Sequence, residues 1–145
     1  MGNDMTGISK DGRVMHYAVG AIIEQEGKYL LIDRVKPPFG LACIAGHMEQ
    51  GETPEEAVRR EVYEESGGGL EILSSKLLLE QEVAWNTCSK GVRAHYWHVY
   101  TVQVSGTMLE NPQEVKHADW YVQEQLKDLP LENVWRHWFK TLHLI

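Results

Sequence analysis

The sequence predicts an α/β fold in which one mixed β-sheet is covered by helices on its faces. Runs rich in Val, Ile, Leu and Tyr, punctuated by Gly, Pro and Asn, outnumber segments of helical period, so strands dominate. Only two segments carry clear helical signals. The 145 residues show no internal repeat and no low-complexity linker, which suits one domain large enough to bury a core. Few helices and many strands are most economically arranged as helix, sheet and helix in layers.

The expected domain spans residues 1–145, with residues 1–12 as a flexible N-terminus. Residues 16–24 are apolar on both faces, as a central strand is. Glu26-Gly27 marks a turn, and 29–35 reads as the next strand. Pro37-Pro38 forces a loop, and a short strand at 41–45 delivers the chain to Gly46. Gly67-Gly68-Gly69 breaks regular structure. Residues 70–84 hold one or two strands, 85–91 a loop, and 92–104 a long strand. Asn111-Pro112 is a loop, 118–122 a short strand, and 131–142 a closing amphipathic helix bearing Trp135, Trp138 and Phe139.

The central helix is the best defined element. Thr53 can cap the free N–H groups, Pro54 suits the first helical position, and Glu56 completes a capping box. No breaker follows before Gly67, so the helix is expected over 54–66. At about 100° per residue, Glu61, Glu64 and Glu65 share an arc of about 100°. Val58 and Val62 form the adjoining apolar stripe. Three carboxylates thus repel one another and also meet the negative end of the helix dipole. Many surface helices are rich in glutamate, yet ordinary ones place Lys or Arg in the last turn. Clustered carboxylates there suit a hard, oxygen-seeking cation such as Mg²⁺.

The formal net charge is −7, and seven glutamates between residues 49 and 65, against two arginines, supply most of it. That acidity argues against a nucleic-acid partner, and a polyphosphate would need metal ions to approach. Cys43 and Cys88 form no CxxC or zinc-type pattern, so a reduced, cytoplasmic protein is the simple expectation. Cys43, in an apolar run, reads as buried filler. No run reaches membrane-spanning length and no signal peptide is visible. Met1-Gly2-Asn3-Asp4-Met5-Thr6 fits a myristoylation pattern formally and reads as coincidence. A homodimer is left open.

Gly46, five residues, Glu52, seven residues and then Arg60-Glu61-Val62-Tyr63-Glu64-Glu65-Ser66-Gly67 resembles the Nudix box, the signature of the Nudix hydrolases (MutT-like nucleotide pyrophosphohydrolases). Gly68 stands where the box usually closes with an aliphatic residue, with Leu70 the nearest candidate. Ala45 and His47 flank Gly46 where Pro and Gly are common. The resemblance implies an α/β/α sandwich with a central mixed sheet and a catalytic loop–helix–loop. It also implies that Glu61, Glu64 and Glu65 bind one to three Mg²⁺ or Mn²⁺ ions, with the Gly46 carbonyl as a further ligand. Arg60 and Glu52 would hold those carboxylates in place; the plainer role for Arg60 is a helix salt bridge with Glu56 or Glu64.

The activity implied is metal-dependent hydrolysis of a phosphoanhydride in a nucleoside diphosphate linked to another group. For the general base, Glu64 and Glu65 are candidates, as are Glu110 and Glu114 from a later loop. Glu114 is preferred because it precedes the strand bearing Trp120. For the substrate, Trp85, Tyr96 and His98 could meet a base and His47 a phosphate. Tyr96, His98 and Tyr100 share one strand face, which is more often core packing, and His95 and His98 fall on opposite faces. Signatures of NADH or coenzyme A pyrophosphatases are not evident, which favours nucleoside triphosphates or another small nucleotide by elimination. ADP-ribose, a nucleotide sugar, a dinucleoside polyphosphate or a non-catalytic nucleotide sensor are the alternatives. An isoprenoid diphosphate isomerase fits less well.

Overall fold

The computed structural model describes residues 3–145. Met1 and Gly2, and with them the start of the myristoylation pattern, lie outside the described residues. The strands are β1 (Thr6–Ile8), β2 (Val14–Gln25), β3 (Lys28–Arg34), β4 (Leu41–Ala42), β5 (Ile44–His47), β6 (Leu70–Val83), β7 (Ala94–Gly106) and β8 (Val115–Val122). The helices are α1 (Pro54–Glu65), α2 (Gln123–Leu126) and α3 (Asn133–Thr141).

The sheet is mixed. β2 runs parallel to β7, and β7 is antiparallel to β6. β2 also pairs antiparallel with β1 and β5. A turn at Glu26-Gly27 leads into β3, which pairs antiparallel with β4 and β8. Side chains alternate along β2, and both sets are buried. Val19, Ala21 and Ile23 pack with Ala57, Val58 and Val62 of α1. Ala18 and Ile22 pack with Val134, Trp135, Trp138 and Phe139 of α3. The expected helix–sheet–helix layering follows from that two-faced strand. Trp135, Trp138 and Phe139 are fully buried, and truncating any one to alanine would cost about 3–5 kcal/mol.

Three details differ from the sequence expectation. The N-terminus is not a free tail from Asn3 onward: β1 pairs with β2, Asp4 bridges Glu49, and Met5 N–H donates to the Met48 carbonyl at 2.8 Å. Three residues are too few to show a period, so backbone pairing rather than pattern places that strand. The run 41–45 divides at Cys43 into β4 and β5, with Cys43 itself buried. Residues 70–83, expected as one or two strands, form one, with register shifts between Ile72 and Ser74 and between Leu77 and Leu79. The single-turn α2 was not foreseen.

α1 begins and ends as its sequence requires. Thr53 Oγ1 accepts from Glu56 N–H at 3.2 Å, and Glu56 Oε1 accepts from Thr53 N–H at 2.9 Å. At the other end Gly67 N–H donates to the Glu64 carbonyl at 3.1 Å and Gly68 N–H to the Tyr63 carbonyl at 2.8 Å. This is a Schellman stop, and the left-handed φ of Gly67 (+65°) and Gly68 (+81°) makes glycine the fitting residue there. The stop also explains the departure at Gly68, while Leu70 supplies the buried aliphatic side chain.

Candidate active site

Helix α1 lies against β5, so its last two turns face the strand carrying Gly46. The approach is close: a Cβ added to Gly46 would overlap the Glu61 carboxylate. Arg60 joins the two elements. Its Nε and Nη2 donate to the two oxygens of Glu52 at 2.7 and 3.0 Å, a bidentate fork. Nη1 donates to Glu61 Oε1 at 2.8 Å and to Glu64 Oε1 at 3.1 Å, and Nη2 to the His47 carbonyl at 2.9 Å. Glu52 also accepts from Glu49 N–H at 2.7 Å, which locks the loop before the helix. The hydrogen bond from Arg60 holds the Glu52 carboxyl below its ordinary value, although partial burial opposes it. The helix salt bridge with Glu64 therefore exists, but as one strand of a larger clamp. Glu56 is occupied by the cap instead.

The three glutamates differ in environment. Glu64 is 54% exposed and Glu61 12%. Glu65 has an oxygen, Oε1, that is buried with no hydrogen-bond partner. Burial pushes the Glu61 carboxyl up to about 7; Arg60 opposes the shift, and Glu64 and Glu114 add to it. Burial likewise pushes Glu65 well above the carboxylate range, aided by Glu61 and Glu114. Buried carboxylates that destabilise one another, one with an orphaned oxygen, fit a divalent cation that would neutralise them. An all-oxygen donor set suits Mg²⁺ or Mn²⁺.

A cavity of about 220 Å³ opens onto these groups, lined by Gly46, Glu61, Glu64, Glu65 and Glu114 and also by Arg34, Lys36 and Lys90. Of the sequence candidates, Glu114 is thus brought to the carboxylates. Glu110 turns away, accepting from Ala118 N–H at 2.8 Å and lying 3.2 Å from His117 Nδ1. His47 lines the cavity, whereas Trp85, Tyr96 and His98 do not. Tyr96 and His98 are on the opposite face of β7 from His95 and Trp97, and the Tyr96 hydroxyl donates to Glu80 at 2.8 Å. Trp85 packs edge-on against His137 of α3, with ring centroids 5.3 Å apart.

Several pocket residues carry no local motif. Glu132, at the start of α3, is buried in the cavity wall, and burial pushes its carboxyl up to about 7 while Arg34, 3.6 Å away, pulls it down. His16, His47, Cys88 and His95 cluster together, and His47, Cys88 and His95 line the same cavity as the glutamates. The basic residues Arg34, Lys36 and Lys90 come from two separated loops and a strand end. Their common signal is a positive charge next to a strand or loop boundary, which is too ordinary to single out.

The model of the NUDIX domain matches residues 14–142. The chain belongs to the NUDIX domain family. The Nudix chain is 33% identical over 122 residues to the NAD-capped RNA hydrolase NUDT12 of Macaca fascicularis, covering 81% of its own length but only 24% of that relative. It is 32% identical over 133 residues to the nucleoside triphosphatase NudI of an Enterobacter species, covering 86% of its own length and 94% of the relative. Among solved structures, a MutT NUDIX hydrolase from Burkholderia pseudomallei superposes with a TM-score of 0.72 at 25% identity, covering 84% of this chain and 93% of that one. Among the described residues no helix is long and apolar enough to cross a membrane.

Proposed function

We propose that this Nudix domain is a Mg²⁺- or Mn²⁺-dependent pyrophosphohydrolase acting on a nucleoside diphosphate linked to another group, with nucleoside triphosphates the first substrate class. The observation that carries this reading is the orphaned, buried oxygen of Glu65, grouped with Glu61 and Glu114 in a cavity that also bears Arg34, Lys36 and Lys90. Bound there, the ion would neutralise phosphate charge and lower the pKa of a water. Glu61, Glu64, Glu65 and the Gly46 carbonyl would hold it. Arg60 and Glu52 keep those carboxylates in one arrangement. Arg34 and Lys36 supply positive charge for phosphate oxygens, which an acidic protein otherwise repels. Glu114 is the candidate base, a reading supported by its position in the cavity wall and by its freedom from the Arg60 clamp.

Size bears on the substrate. The cavity of about 220 Å³ falls below the roughly 300–1,000 Å³ of pockets that enclose a drug-sized ligand. It accommodates the phosphates and leaves the nucleoside toward the mouth. His47 sits in the wall where a phosphate would pass. A second reading, cleavage within an NAD-like dinucleotide, is favoured by the NUDT12 resemblance and opposed by the coverage of only 24% of that relative. RNA itself is a poor partner for a chain of net charge −7. Retention of all three helix-end glutamates supports turnover over passive sensing. A cytoplasmic site of action is the setting that fits two free cysteines.

The test is a Mg²⁺ hydrolysis screen over nucleoside and deoxynucleoside triphosphates, ADP-ribose, NAD, dinucleoside polyphosphates and nucleotide sugars, with product identification. Release of a nucleoside monophosphate and pyrophosphate from triphosphates is the expected result. Tight binding without hydrolysis of any of them would establish a sensor instead.

A further inference from the structure

We infer that His16, His47, His95 and Cys88 form a second metal site, suited to a nitrogen- and sulfur-seeking ion such as Zn²⁺ and distinct from the carboxylates of α1. One ligand atom from each of the four lies within 4.8 Å of the others. A tetrahedral ion with bonds of about 2.0–2.1 Å to nitrogen and 2.3 Å to sulfur needs ligand separations of about 3.3–3.6 Å. Side-chain movements of about an ångström close that gap.

Two further observations point to a ligand. His95 is only 1% exposed, yet neither ring nitrogen has a hydrogen-bond partner; backbone groups of Arg93 and Asn86 come near without closing one. A buried imidazole with both nitrogens unsatisfied is costly, and a metal would satisfy one of them. The second is the support around His47. Its Nδ1 lies 3.0 Å from Asp4 Oδ2, and since an ionised carboxylate only accepts, Nδ1 carries the proton and Nε2 the free lone pair. A carboxylate behind a histidine in this way is how metal-binding imidazoles are oriented. Lys90 would repel an ion, but its ammonium is held 2.6 Å from the same Asp4, so the two charges offset.

The sheet brings the ligands together. In the parallel β2–β7 ladder His16 stands opposite His95. His47 stands opposite Ala18, two residues along from His16 and so on the same face of β2. Cys88, from the loop between β6 and β7, places Sγ 4.0 Å from His16 Nδ1. Three neutral imidazoles and one sulfur favour Zn²⁺ over Mg²⁺, whereas the glutamates of α1 favour the reverse. On binding, Cys88 gives its thiol proton to solvent and coordinates as thiolate. The ion would staple the Cys88 loop and the His47 backbone together beside Gly46. The Arg60 clamp grips that same backbone at the His47 carbonyl.

The test uses the full chain, reduced and saturated with Mg²⁺, titrated with Co²⁺ as a spectroscopic stand-in for Zn²⁺. The result expected is one equivalent of intense tetrahedral visible bands and a thiolate-to-cobalt charge-transfer band in the near ultraviolet. Cys88→Ser, on a loop and checked for native circular dichroism, should lose the charge-transfer band and bind Co²⁺ at least tenfold more weakly. Glu64→Gln should keep both bands. Only weak absorption of the six-coordinate type, or a charge-transfer band that survives in Cys88→Ser, would overturn the assignment.

Discussion

Arg60→Lys keeps the charge and removes the fork. Arg60 donates five hydrogen bonds, to Glu52 twice, Glu61, Glu64 and the His47 carbonyl, at 2.7–3.1 Å. A lysine ammonium presents its three donors from one point and cannot span Glu52, Glu61 and His47 together. Two or three bonds are therefore lost, each charge-assisted and worth about 1.5–3 kcal/mol where buried. The side chain is 21% exposed, so screening reduces the sum, and the net loss should be about 2–3 kcal/mol. A lone helix salt bridge would account for only about 0.3–0.5 kcal/mol. Urea denaturation in EDTA measures that loss, and calorimetric titration measures Mg²⁺ affinity, which should fall about 10–100-fold. A loss under about 0.5 kcal/mol with unchanged Mg²⁺ affinity would show that Arg60 is an ordinary surface pair.

Other consequences are as direct. Gly46→Ala should weaken Mg²⁺ binding by about tenfold or more, because the new Cβ displaces the Glu61 carboxylate; calorimetry of the folded variant checks it. Stabilisation by Mg²⁺ should depend on pH with a definite sign. Glu61 moves from 4.5 to about 7 on folding, so between those values the native chain holds a proton that the unfolded chain has lost. That proton must leave for the ion to bind, so the Mg²⁺-induced rise in Tm should be small near pH 5 and grow through pH 7. Burial lowers the pKa of His16, His47 and His95, which makes stability rise with pH, but that contribution is common to both arms and cancels in the difference. An equal Tm shift at pH 5 and pH 8 would contradict the buried-carboxylate account. Glu114→Gln should lower kcat about 10²–10⁴-fold while leaving Mg²⁺ affinity within a few-fold, measured by steady-state kinetics and calorimetry.

Local signals made part of the site legible. Thr53, Pro54 and Gly67 bound one helix, and Glu61, Glu64 and Glu65 fall on one side of it by periodicity alone. Gly46, Glu52 and Arg60 became readable through spacing, and the structure shows the contacts behind it. What stayed hidden depends on register. His95 invited comparison with its neighbour His98, which faces the other way. Its actual companion is His16, seventy-nine residues earlier and directly across a parallel ladder. Nothing in a one-dimensional pattern announces that pairing, and the same holds for Cys88, which has no second cysteine in a zinc-type spacing. Glu132 and Arg34 meet only because α3 begins and β3 ends at the same cavity. The aromatic residues of β7 were conspicuous in the sequence, yet alternation sends Tyr96 and His98 away from the pocket.

The most direct measurement is Mg²⁺-dependent turnover of Glu64→Gln on whichever nucleotide the wild-type chain hydrolyses. The side chain is 54% exposed, and its contact with Arg60 is one of five, so the variant should fold and melt like the wild type. Turnover should nevertheless be lost, because the substitution removes a charge from the proposed ion site. Wild-type turnover in the pure, folded variant would mean that the three glutamates are not a metal site.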